Sequence, residues 1–250
     1  MVIRWLLTGR TLIPQSPSVT QLTLLSDRAV RQDAHMAEQT TESTPTPPSI
    51  DYPDAPWHMV GQLWLSIFKL REGADELRPA GTYGAAFVSY EPGSPLTYSE
   101  LLVARLVPTE QHGKCVTITD IWVDSPASVA GGRELWAIPK ELCDFELDSS
   151  RRGPLSSTTW STSVERRPIA SASFTDVSRA MVRIPFKGTT WQPGIEDTDG
   201  EERTATLQGS SKALPCRGRW DFAADGPLGW LRDARQLASF RQADFRMSFG

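Results

Sequence analysis

Lysine is scarce in this chain. Lys69, Lys114, Lys140, Lys187 and Lys212 are all that it has, so any search for an amine nucleophile starts with a short list. Cysteine is rarer still. Cys115, Cys143 and Cys216 are odd in number, widely spaced and without a Cys-x-x-Cys pair, which speaks against a disulfide framework and a thiolate zinc site and fits a reducing cytoplasm. His35, His58 and His112 form no His-Glu-x-x-His pattern, and neither a Gly-x-Ser-x-Gly elbow nor a phosphate loop occurs. The metal, hydrolase and nucleotide classes lose their usual signatures, and no metal and no cofactor are expected. A long hydrophobic run is also missing. The apolar patch Trp5 to Leu7 is too short for a signal-peptide core or a membrane span, so no membrane association is expected. Positive charge is not concentrated anywhere. The net charge is -4 and the pI is near 5.5, whereas a nucleic-acid binder carries a basic stripe. The acidic run Glu196, Asp197, Asp199, Glu201 and Glu202 lacks the ligand spacing of a calcium loop and reads as a solvated loop.

What the chain does have divides in two. Residues 1–55 are rich in Thr, Ser, Gln and Pro, and Ala37 to Asp54 carries too little apolar area to offset the entropy of ordering. This part is expected to be a disordered extension, with Met36 as a possible true start. Residues 56–250 form the expected folded domain. There, β-branched and aromatic runs (Gly61 to Leu70, Tyr83 to Tyr90, Ser99 to Val107, Val116 to Val123, Ser156 to Val164, Ile169 to Thr175, Ala180 to Phe186, Thr204 to Gln208) alternate with Gly, Pro and Ser clusters. Many short strands without long helical patterns between them predict a closed or partly closed antiparallel barrel. Leu231, Ala234, Arg235 and Ala238 at helical spacing predict one helix over Leu228 to Phe240. Trp64, Trp122, Trp136 and Trp160 read as filling of the barrel, since no interleaved positive charge marks a base-stacking surface.

Of the five lysines, Lys140 stands apart. It follows Pro139 on an apolar segment flanked by Leu135, Trp136, Ala137, Ile138 and Leu142. An amine attacks a ketone only when neutral, and at a pKa of about 10.4 roughly one lysine in 2,500 is neutral at pH 7. Burial lowers such a pKa by about 3 to 5 units. A dry pocket around Lys140 is therefore expected to do most of the tuning. Glu141 is next in sequence, but neighbours on an extended segment point to opposite faces, so Glu141 is expected to face away.

The run Ala130-Gly131-Gly132-Arg133-Glu134-Leu135-Trp136-Ala137-Ile138-Pro139-Lys140-Glu141-Leu142, with Val116-Thr117-Ile118-Thr119-Asp120-Ile121-Trp122-Val123-Asp124-Ser125-Pro126-Ala127-Ser128 leading into it, resembles the acetoacetate decarboxylase family. The likeness spans about residues 57–250 in outline and is tight over Thr97 to Leu147. It implies that Lys140 is the Schiff-base residue. It also implies a mainly β fold with a few helices (α+β), a cone-shaped, mostly antiparallel β-barrel of the acetoacetate decarboxylase type, with the lysine inside. Thr97-Tyr98-Ser99-Glu100 resembles the family's tyrosine-x-glutamate segment, which makes Glu100 the second catalytic candidate. By the same likeness Glu91, after Tyr90, and Lys69, Arg133, Trp136 and Ile138 are expected at the substrate pocket. Arg133 and Glu134 also read as an ion pair or backbone-binding pair near the turn.

Two departures from the family pattern are visible. Glu141 stands where familiar members have a second lysine, and Phe68-Lys69-Leu70-Arg71 stands where they have Tyr-Arg. Lys69 could replace the charge but not the bidentate fork of a guanidinium. The resemblance implies a cofactor-independent lyase that decarboxylates a β-keto acid, acetoacetate-like, through an imine and an enamine. A Schiff-base aldolase-dehydratase joining a 2-oxo acid such as pyruvate to an aldehyde is the alternative. A non-catalytic barrel that binds a small keto ligand is a third reading. The expected partners are a small-molecule keto acid and further copies of the chain as a homo-oligomer, with no nucleic acid.

Overall fold

A computed structural model describes residues 50–177 and 182–250, which belong to one compact unit. The expectations for residues 1–49 lie outside the described residues. From Tyr52, which packs against the barrel core, the chain already engages the domain, and the Trp57 indole donates to the Pro53 carbonyl at 2.7 Å.

Among the described residues there are twelve strands and one α-helix: β1 (Trp57–Leu70), β2 (Gly81–Tyr90), β3 (Tyr98–Thr109), β4 (Gly113–Val123), α1 (Pro126–Trp136), β5 (Glu141–Leu142), β6 (Asp144–Arg152), β7 (Leu155–Val164), β8 (Arg167–Val177), β9 (Val182–Gln192), β10 (Arg203–Pro215), β11 (Arg217–Phe222) and β12 (Arg235–Phe249). Seven strands close a barrel in the order β3-β2-β1-β12-β10-β9-β4, with β4 returning to pair with β3, and β5 adds to β4 in parallel. The pairing is antiparallel except for β4 with β9 and β5. A second sheet, β11-β8-β7-β6, covers one side of the barrel wall.

Strand alternation divides the apolar residues between two cores. On β2, Tyr83, Ala85 and Phe87 join an aromatic layer with Trp64, Phe68, Trp160 and Phe174, while Val88 and Tyr90 face the barrel interior with Trp57, Met59, Ile121 and Trp136. Successive side chains on a strand point to opposite faces, so β2 is buried on both sides. In the aromatic layer Phe87 stacks on Trp160 at 5.2 Å and on Trp220 at 5.1 Å between ring centres. Two of the bulges reset this alternation along the cavity. One lies on β4, where Val103 pairs with Asp120 but Ala104 pairs with Ile118. The other lies on β12, where Gly61 pairs with Phe245 but Leu63 pairs with Gln242. An extra residue in one strand shifts its side chains by one face. Consequently Val116, Ile118 and Ile121 all line the interior, as do Gln242, Phe245 and Met247.

The expected barrel is present, and the second sheet is a feature that the strand pattern did not separate from it. The helix expected over Leu228 to Phe240 is absent. A 3-10 turn at Gly229–Leu231 is followed by the fifteen-residue strand β12. β12 is hydrogen-bonded on both sides, to β1 and to β10, and two ladders outweigh a weak helical spacing of four residues. The helix that does form, α1, has Ser125 as N-cap, its side chain accepting from the Ser128 N–H, and Pro126 in its first turn. Both are helix-start signals, but Gly131 and Gly132 in its body weaken the sequence signal by about 1 kcal/mol each. Among the described residues, no helix is long and apolar enough to cross a membrane.

Candidate active site

Lys140 is held by the way α1 ends. Ala137 takes the left-handed conformation, φ 52, and its N–H donates to the Arg133 carbonyl while that of Ile138 donates to Gly132. Such a residue commonly terminates a helix. The Lys140 N–H then donates back to the Ile138 carbonyl at 2.7 Å, a three-residue turn whose central φ suits Pro139. From the other side, Arg133 Nη1 donates to the Lys140 carbonyl at 3.3 Å. The backbone of the lysine is fixed at both ends.

The two glycines of α1 have separate tasks. A Cβ on Gly132 would lie 2.7 Å from Lys140 Cδ, and one on Gly131 would lie 2.8 Å from Trp57 Cζ2 and 2.9 Å from Tyr52 Cδ2. Gly132 makes room for the lysine stem, and Gly131 lets the helix approach the barrel. The Lys140 side chain passes over Gly132 into the interior and is only 5% exposed.

Its amine meets three acceptors. Nζ donates to Glu100 Oε2 at 2.9 Å, to Ser128 Oγ at 2.9 Å and to the Tyr98 hydroxyl at 3.3 Å. An ammonium has three protons to give, and each has a partner here. Glu100 is buried as deeply, and its Oε1 accepts from the Tyr90 hydroxyl at 3.1 Å. Tyr90 and Tyr98 pack with ring centres 4.4 Å apart.

Burial pulls the Lys140 ammonium down, but the Glu100 charge and then Tyr98 push it up further, and the balance lies above the ordinary lysine value. Burial is the largest single influence, as expected, but Glu100 and Tyr98 together outweigh it, so the expected lowering of the amine is overturned. Burial and the Glu100 charge together hold Tyr90 well above the usual tyrosine value. Burial also raises Tyr98, against the opposing pull of Lys140. As resting groups, both tyrosines are neutral.

These polar atoms sit on the wall of a cavity of about 210 Å³, otherwise lined almost wholly by apolar side chains, among them Trp136 and Ile138. Lys140, Glu100, Trp136 and Ile138 are thus brought together. The remaining expected pocket residues are elsewhere. Lys69 is exposed on β1, six residues beyond Leu63, which is level with Glu100 through Val88. That is about 20 Å along the strand. Glu91 follows the inward-facing Tyr90, so it points outward and accepts from Gln62 Nε2 at 2.7 Å. Arg133 binds Asp197, Nη2 to Oδ2 at 2.7 Å, in addition to the Lys140 carbonyl, and it does not line the cavity. Its expected partner Glu134 instead accepts from Tyr52, whose hydroxyl is pushed up to about 12 by that hydrogen bond and by burial. Glu141 faces away from Lys140, accepting from the Trp122 indole at 3.1 Å.

Tyr98, Tyr90, Ser128 and Gly132 were not singled out in the sequence. The signals existed. Tyr98 and Glu100 are two apart on a strand and share its face, and Ser128 and Gly132 are four apart on a helix and share its side.

The family model for Acetoacetate decarboxylase (ADC) matches residues 75–187, which include Glu100 and Lys140. No curated protein matches the sequence. Among solved structures, an acetoacetate decarboxylase from Legionella pneumophila subsp. pneumophila str. Philadelphia 1 is 15% identical, over 83% of this chain and 90% of its own, with a TM-score of 0.54. The enduracididine biosynthesis enzyme MppR complexed with pyruvate is 18% identical, over 84% of this chain and 92% of its own, with a TM-score of 0.53.

Proposed function

We propose that this chain, whose residues 75–187 match the acetoacetate decarboxylase family model and whose barrel is similar to solved members, is a Schiff-base enzyme in which Lys140 forms an imine with a keto acid and releases carbon dioxide. The observation that carries this reading is a single buried amine, on an apolar cavity, within 2.9 Å of a carboxylate that can take its proton.

The raised pKa of Lys140 defines the first step. The resting pair is ammonium and carboxylate. One proton crossing from Nζ to Oε2 leaves a neutral amine and a carboxylic acid, and the exclusion of water by substrate favours that uncharged form. The amine attacks the ketone carbon. The Glu100 acid gives its proton to the departing hydroxyl, which leaves as water, and a protonated imine remains. The bond from the adjacent carbon to the carboxylate then breaks, its electron pair moving into the imine to give an enamine and carbon dioxide. A proton added to the enamine carbon and one water added to the imine release the ketone and regenerate the lysine. Overall, one proton is consumed and the β-keto acid becomes a ketone. The covalent intermediate divides a carbanion-forming step into easier ones.

Intact mass after incubation with 3-oxobutanoate and borohydride tests this, beside Lys140→Ala and with product analysis. A reduced adduct on the parent alone, with carbon dioxide released, is expected. An adduct from pyruvate with a new carbon-carbon bond to an aldehyde would replace the decarboxylase by the aldolase-dehydratase alternative. Ligand binding that survives Lys140→Ala without any adduct would leave only the binding barrel.

A further inference from the structure

The cavity continues well beyond its reactive end. Tyr98, Glu100 and Lys140 meet at one level of the barrel, where Glu100 pairs with Val88 and Val88 with Leu63. One step further along β3 is Leu102, level with Ile121, and a second step brings Ala104, level with Ile118. Both steps line the same cavity, as does Val116 beyond them. Glu100 to Ala104 is four residues, about 13 Å along the strand. A four-carbon acid condensed on Lys140 would leave this apolar length unfilled.

The charge distribution agrees. Among the described residues that line the cavity, Lys140 is the one cation and Glu100 the one anion, and they face each other. Lys69 and Arg133, the cations that could have held a distant anionic group, are outside. A charged tail would be stranded among Leu65, Leu102, Ile118 and Phe186, where the polar side chains Thr190 and Gln242 are neutral and already bonded to the Ala205 carbonyl and to Ser211, so no countercharge repays its desolvation.

We infer that the substrate carries an unbranched apolar chain running from the reacting carbonyl along β3 towards Ala104 and Val116, so that its class is the longer 3-oxo acids. This rests on Lys140 as the imine-forming residue. Chain length is then read by burial alone, and each methylene added to the substrate raises kcat/KM by about fourfold until the trough is full.

The test compares 3-oxobutanoate, 3-oxohexanoate, 3-oxooctanoate and 3-oxodecanoate in parent protein and in Ala104→Phe, which fills the far end. Val116→Phe serves as a second blocking variant if the first does not fold. The expected result is a kcat/KM that climbs by at least tenfold across the series in the parent, and a ratio of longest to shortest substrate that collapses towards one in a folded blocking variant. A parent profile that is flat or falls with length, while 3-oxobutanoate still gives the borohydride adduct on Lys140, overturns the inference and leaves the imine reading standing. A long-chain preference that persists in both folded variants overturns it as well. Failure of every keto acid to label a folded parent removes the imine reading and the inference with it.

Discussion

Two buried ion pairs flank the barrel wall. Lys140 and Glu100 meet inside the barrel at 2.9 Å, with side chains 5% and 4% exposed, and Arg241 of β12 and Asp176 of β8 meet between barrel and second sheet at 3.0 Å, 15% and 1% exposed. By distance and burial they are near twins. Their surroundings differ. Arg241 lies over the Trp64 ring, 5.4 Å from its centre, and also donates to Gln62 Oε1, so it ties two sheets together. Lys140 and Glu100 face open space. Their chemistry differs more, because a guanidinium keeps its proton at any pH that a protein meets. An ammonium beside a carboxylate can surrender its proton and leave both partners neutral. A buried pair adds little to stability, and removing one partner is costly in either case. On the proposed chemistry, what separates the two pairs is that a proton passes within one of them and not within the other.

The largest expected contrast comes from replacing each cation by methionine. Lys140→Met should abolish the borohydride adduct and lower turnover by on the order of ten-thousand-fold or more, as removal of a covalent nucleophile does. Arg241→Met should lower unfolding free energy by about 3 to 5 kcal/mol in urea titrations while the adduct still forms. A folded Arg241→Met protein that no longer forms the adduct would erase the distinction between the pairs.

Next in size is Glu100→Gln. Turnover should fall by about 10² to 10⁴, the usual worth of a positioned acid-base group. The amine should nevertheless become easier to trap at low pH, because burial persists while the charge that holds the ammonium is gone. Adduct yield against pH, from about 6 to 10, reads this directly, and a profile shifted upward would show that Glu100 does not set the Lys140 pKa.

The two glycines sharpen the comparison further. Gly132→Ala puts a methyl group 2.7 Å from Lys140 Cδ, and a displaced nucleophile of this kind loses about a hundredfold in rate. Gly131→Ala meets Trp57 and Tyr52 instead and should cost about 1 to 3 kcal/mol of stability. Single-turnover imine formation and urea unfolding, measured on both variants, should move in opposite proportion.

The smallest effect is on stability at high pH. A raised Lys140 pKa contributes stability that is complete below the ordinary lysine value of about 10.4 and is lost only as pH rises through the higher folded value. The Lys140-linked stability of the parent should therefore hold through neutral and mildly alkaline pH and fall only above the lysine range. Glu100→Gln, whose ammonium is pulled down by burial alone, should instead gain stability as pH rises towards that range, so that the Tm difference narrows from the alkaline side. A Tm difference that widens as pH rises from neutrality towards the lysine range would contradict the raised value.

The sequence made the barrel legible because β1, β2 and β3, each facing a core on both sides, read as β-branched and aromatic runs between turn clusters. It failed at β12, because the helical spacing Leu231, Ala234, Arg235 and Ala238 runs from a 3-10 turn into the strand and across a register shift at Leu237. Lys140 was legible from its motif and Glu100 from its likeness to a known segment. Lys69 and Glu91 were misplaced for a geometric reason: residues close in sequence to pocket residues lie on another level or on the opposite face. Arg133 was placed in the pocket because its motif was recognised without the turn at Pro139, which leaves the guanidinium on backbone and Asp197. The pKa direction was missed because flanking residues describe burial, whereas the charge that overrides it comes from a strand forty residues away.

The bulge on β4 lies between the rows that meet the amine and those that end at Val116. Insertions or exchanges past that point can reshape the far end of the cavity while the registry of β3 beside Lys140 is kept. Diversification of selectivity and preservation of reactivity are thereby assigned to separate stretches of chain, and a library confined to Ala104, Val116 and Ile118 should yield altered preferences more often than dead proteins.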